Sequence, residues 1–77
     1  MARAVIELSE DISPLISGLG RVVEGFAYNP ENGEAAFRWQ DRGVILNGRR
    51  IDIYGAEDDE TVSGFLRWFA EMIDKTG

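Results

Sequence analysis

Cysteine and histidine are both missing from this 77-residue chain. Disulfides, thiolate or imidazole metal ligands, Ser-His-Asp and Cys-His nucleophile systems and histidine proton shuttles are therefore excluded within it. A metal held by carboxylates alone would be calcium or magnesium. No apolar run approaches the roughly 20 residues of a membrane-spanning helix. The opening stretch MARAVIELSEDIS carries only a brief apolar segment interrupted by Glu7, too short and too charged for a signal peptide. Lack of cysteine fits any redox compartment, and a cytoplasmic location is the expectation. Cationic residues are also scarce: 8 Lys and Arg face 14 Asp and Glu, a net charge of −6 that opposes binding to nucleic-acid phosphates.

Apolar residues make up 44% of the chain and charged residues 29%, which fits one small globular domain spanning residues 1–77. A domain of this length buries only about 60% of the surface its unfolded chain exposes. Function is thus expected on the surface and not in a deep cavity.

Ala4, Ile6 and Leu8 alternate with Val5 and Glu7, the period of a short strand. Ile12, Leu15, Ile16, Leu19, Val22 and Val23 then follow helical spacing, with Ser13 as a capping residue, Pro14 in the first turn, and Ser17 and Arg21 on the polar back. Gly18 and Gly20 each weaken this helix by about 1 kcal/mol, and their expected role is close approach to a neighbouring element. A dinucleotide fingerprint would need a third glycine where Val23 stands.

The segment FAYNPENGEAAFRW has the form of a hairpin turning through Asn29 to Gly33. Aligning Gly33 with the glycine of a calcium loop would put Tyr28 at the first ligand position, so the turn is preferred. A second turn at Gln40 to Gly43 and a hairpin signal at Asn47-Gly48 complete a four-stranded meander. Its expected inward set is Phe26, Tyr28, Phe37, Trp39, Val44, Leu46, Ile51 and Ile53, with Arg38, Arg50, Asp52 and Tyr54 facing the other way. Val62, Phe65, Leu66, Phe69, Met72 and Ile73 mark a second amphipathic helix over residues 58 to 75. The expected fold is α+β and two-layered: an antiparallel sheet of about five strands with two helices on one face, in the order β-α-β-β-β-β-α. Placement of the first strand is left open.

Two features bear on function. Residues 38 to 50 hold Arg38, Arg42, Arg49 and Arg50 against Asp41 alone, so this segment is +3 and the rest of the chain −9. It serves either as solubilising strand surface or as a basic patch for an acidic partner. The acidic run Glu57 to Glu60 either caps the second helix, through Asp58 or Asp59, or holds a divalent cation. Trp68 flanks the apolar stripe, as a half-buried core residue or as an anchor for a partner.

From Asp11 to about Lys75 the landmarks DISPLISGL, FAYNPENGEAAFRWQDRGVIL, RRIDIYGAEDDE and FLRWFAEMID follow one another. In this order they resemble a small domain found in proteins of anaerobic bacteria and archaea, placed just before a cysteine-rich segment that binds a four-iron four-sulfur cluster. The resemblance implies an accessory domain without assigned chemistry, associated with an iron-sulfur protein of anaerobic electron transfer. Its cluster ligands belong to the following segment, so none is carried onto this sequence, which would be a fragment or a free-standing version meeting its partner in another chain.

The expected function is thus a non-catalytic protein-interaction domain, with Arg38, Arg42, Arg49, Arg50, Tyr54 and Trp68 as its candidate partner surface and no cofactor. The alternative is a small-ligand or divalent-cation module built on residues 57–60. An enzyme would have to use Asp52 or Glu7 beside Tyr54 on an open face that offers little burial, and is not expected. Nor is nucleic acid or a membrane expected as a partner, whereas an uncovered sheet edge admits a homodimer.

Overall fold

A computed structural model describes residues 3–56 and 58–76. The chain forms β1 (Arg3–Glu7), α1 (Ser13–Val22), β2 (Ala27–Asn29), β3 (Glu34–Trp39), β4 (Arg42–Asn47), β5 (Arg50–Tyr54) and α2 (Asp59–Thr76). The element order and antiparallel sheet are those expected. The strands lie in the order β1-β5-β4-β3-β2. The undecided first strand is an edge strand, antiparallel to β5, with Ala4 opposite Ile53 and Ile6 opposite Ile51.

One cluster fills the space between sheet and helices. Ala35, Phe37 and Trp39 of β3, Val44 and Leu46 of β4, and Ile51 and Ile53 of β5 meet Ile16 and Leu19 of α1 and Phe65, Phe69 and Met72 of α2. Both helices therefore cover the same face. Phe65 is fully buried, with ring centroids 5.3 Å from Trp39, 5.4 Å from Phe69 and 5.9 Å from Trp68. The helices touch where Gly18 removes a side chain. A Cβ there would lie 2.9 Å from Cβ of Thr76, and one on Gly20 would lie 3.3 Å from the Phe26 ring, which accounts for two glycines inside α1.

The loops add local detail. Ser13 does not cap α1: it lies inside the helix, and its N–H donates to Oδ1 of Asp11 at 2.8 Å, so Asp11 supplies the acceptor, while Pro14 occupies the first turn. At the second turn Gln40 and Asp41 both adopt positive φ, 49° and 61°, without a glycine. Two arginines hold this strained pair: Arg38 Nη2 donates to the Asp41 carbonyl at 3.1 Å and Arg42 Nη1 to the Gln40 carbonyl at 3.3 Å. Asn47 pairs with Arg50, so Gly48 and Arg49 form the next turn, one residue later than the Asn-Gly signal implied. Positive φ at Gly48 (62°) suits the first central position of that turn. Tyr28 does share the inward side with Ala35, but β2 is the far edge, where Tyr28 meets Ser13, Ile16 and Ser17 of α1 only across a groove of about 270 Å³, and 52% of the residue remains exposed. No helix among the described residues is long and apolar enough to cross a membrane.

Phe65→Ala would open a void at the centre of the aromatic cluster and should cost about 3–5 kcal/mol. Urea unfolding should show a lower midpoint, with Leu66→Ala on the exposed side of α2 affected far less.

Candidate functional site: the uncovered face of the sheet

Because α1 and α2 occupy one side, the other side of the sheet has no layer over it among the described residues. Register places its side chains in rows. The middle row runs Val5, Asp52, Ile45, Ala36, Ala27 across all five strands. At about 4.8 Å per strand it is roughly 19 Å long. Four of its five members are apolar; Val5, at 44%, and Ala27 are exposed, and Ile45 and Ala36 are half-buried. Asp52, the exception, is largely covered, with Oδ1 accepting from Arg50 Nη2 at 3.2 Å and Nε at 3.3 Å. Since Arg50 is half exposed, the pair contributes less than about 1 kcal/mol to stability, but it neutralises the one charge within the apolar row.

One flanking row is cationic. Arg3 lies opposite Tyr54 with its guanidinium 5.9 Å from the ring centroid, and Gly43 lies opposite Arg38. The Tyr54 ring extends over Gly43: a Cβ there would stand 3.9 Å from Cδ2. The other flanking row is polar and holds Glu7 opposite Arg50, Asn47 opposite Arg50, and Asn29 opposite Glu34. The face thus grades from cationic, through apolar, to mixed and acidic.

The six residues singled out from the sequence do not form one patch. Arg38, Arg50 and Tyr54 belong to the uncovered face. Arg42 lies on the helix side, its guanidinium 5.7 Å from the Trp39 ring centroid and its Nε donating to the Gly55 carbonyl at 3.3 Å. Trp68 is partly buried against the core, 5.7 Å from Phe37 and 6.3 Å from Trp39, so much of its ring is used in packing. Arg49 occupies the Gly48-Arg49 turn, where its carbonyl accepts from the Leu8 N–H at 2.7 Å. The basic segment is therefore divided among two faces and a turn. Val5, Ile45 and Ala36, which sequence reasoning did not single out, supply the middle of the face. Period-two alternation carries that signal, but Val44, Ile45 and Leu46 form an unbroken apolar run in which the outward residue is hard to identify.

Of the acidic run, Glu57 lies outside the described residues. Asp58 caps α2, its Oδ1 accepting from the Thr61 N–H at 2.8 Å and the Thr61 hydroxyl at 2.6 Å. These bonds favour the ionised form and hold the Asp58 carboxyl below its usual value of 3.8. Among the described residues no group of three or more acidic side chains could hold a metal ion. A shallow groove of about 320 Å³ beside this helix end is lined by Trp39, Gln40, Asp58, Glu60, Thr61, Gly64 and Trp68.

No family model matches the chain, and neither a curated protein nor a solved structure matches it.

The Asp58 cap should appear in the pH dependence of stability. Its folded-state pKa lies below the unfolded value of 3.8, so its contribution is complete above that value and lost as pH falls through the lower folded-state pKa. Asp58→Asn should lower the melting temperature at neutral pH and flatten its decline on acidification through this window, as followed by circular dichroism.

Proposed function

We propose that this chain is a non-catalytic protein-interaction domain whose uncovered sheet face docks another protein. The observation that carries this reading is the continuous row Val5, Asp52, Ile45, Ala36 and Ala27, apolar apart from an internally paired carboxylate, between charged rows. Contiguous exposed apolar surface rimmed by charge is characteristic of sites that bury against a partner. Arg3 and Arg38 at one end favour an acidic region there, and Tyr54 beside them is the type of side chain that anchors interfaces. Trp68 and Arg42, committed to packing around Trp39, are assigned a stabilising role.

An iron-sulfur protein of anaerobic electron transfer is the partner class that the sequence resemblance implies. It is the first class to test, in the same chain or in another.

Affinity capture from a source extract, with the bound proteins identified by mass spectrometry, should compare wild type with Ile45→Glu and with Leu66→Glu on the outside of α2. The expected result is a partner retained by wild type and Leu66→Glu but lost by Ile45→Glu. Iron and acid-labile sulfide in the captured fraction, found by chemical analysis, would support the iron-sulfur assignment. Indifference of every captured protein to Ile45→Glu would refute docking through this face.

A further inference from the structure

The two edges of the sheet differ. Edge strands are usually blunted by shortness, proline, charged side chains, lysine above all, or a bulge, because unpaired N–H and C=O groups template the addition of another strand. β2 is blunted: it has three residues and runs into Pro30. β1, with the sequence RAVIE, pairs with β5 in unbroken register and contains no proline, glycine or lysine; its charges, Arg3 and Glu7, stand at its two ends and are of opposite sign.

The direction of its free hydrogen-bonding groups follows from one contact. The Leu8 N–H donates to the Arg49 carbonyl, toward β5. In an antiparallel strand the direction alternates residue by residue. Ala4 and Ile6 therefore turn their main-chain groups toward β5, and Arg3, Val5 and Glu7 turn theirs to the free edge.

RAVIE is complementary to itself when reversed. With a two-fold axis at Val5, Val5 lies opposite Val5 of the second copy, Arg3 opposite Glu7, Ala4 opposite Ile6, and Glu7 opposite Arg3. Residues brought opposite at positions 3, 5 and 7 are those whose N–H and C=O groups face the edge, so each pair can exchange main-chain hydrogen bonds. The side chains of Arg3 and Glu7 share the uncovered face, which sets a cross-strand ion pair on each side of the axis. Neither makes an ion pair within the chain among the described residues, where Arg50–Asp52 is the pair formed. Val5 meeting Val5 would join the apolar middle rows of the two copies, and Ala4 meeting Ile6 would join their cores.

We propose that a second copy of this chain adds antiparallel to β1 in the Val5-centred register, joining two sheets into one and doubling the uncovered face. The proposal deepens the interaction reading by naming one partner. It uses the edge of the sheet and not its face, so the two fail separately: a monomeric wild type would overturn it without affecting the Ile45→Glu comparison.

Charge reversal tests it. Sedimentation equilibrium at physiological ionic strength, in a concentration series reaching the millimolar range, should show a reversible dimer for wild type. Arg3→Glu alone and Glu7→Arg alone each set like charges opposite one another twice, and each should weaken the dimer by about tenfold or more. Arg3→Glu combined with Glu7→Arg restores opposite charges and should recover wild-type association. Both positions are exposed, and circular dichroism melting confirms that each variant is folded. Three results would each overturn the proposal: a wild type monomeric throughout, single variants that associate as tightly as wild type, or a double variant that fails to recover.

Discussion

The structure depends on the seating of α2 against β3 through Phe65. Its ring packs edge-on to Trp39 and stacks on Phe69, with Trp68 beside it, while Phe37 lies beneath at 6.5 Å. This seam directs the apolar stripe of α2 onto one side of the sheet, and contact at Gly18 brings α1 to the same side. Among the described residues no third element covers the opposite face. The uncovered surface is thus a consequence of how the core is filled: two helices suffice for one face of five strands, and the other must be tolerable to water or used.

Its composition shows the compromise. Asp52 interrupts an apolar row and is matched by Arg50 two residues away on its own strand. The row becomes less sticky without placing an unpaired charge in its middle. Arg3 over Tyr54 acts similarly, shielding part of an exposed ring with a charged group. Arginines in this protein serve different ends. Arg38 and Arg42 hold the positive-φ turn at Gln40 and Asp41, Arg42 also packs on Trp39, and Arg50 pairs with Asp52.

The fold was largely legible in the sequence because its periods are clean. Alternation marked strands that bury one face, and the offsets of Ile12 to Val23 and of Val62 to Ile73 marked two helices. What could not be read depends on which elements come together. The edge position of β1 is set by pairing with β5, 43 to 51 residues away in sequence, and not by any property of RAVIE alone. Tyr28 has the correct parity for burial but sits on the edge strand, separated from α1 by an open groove. The arginines between 38 and 50 look like one basic segment because they are close along the chain, yet strand alternation sends Arg38 and Arg42 to opposite faces. Ile45 went unnoticed for the converse reason, since its buried neighbours Val44 and Leu46 hide its outward direction.

Among the described residues one face of the sheet is closed by the Phe65 seam and the other is open. Paramagnetic relaxation by a neutral soluble gadolinium chelate, read at assigned methyl groups in dilute protein, measures this directly. Strong broadening of the Ile45 and Ala36 methyls is expected, with Val44 and Leu46 of β4 and Ile53 of β5 protected. Equal protection of Ile45 and its buried neighbours would mean that this face is covered and not open.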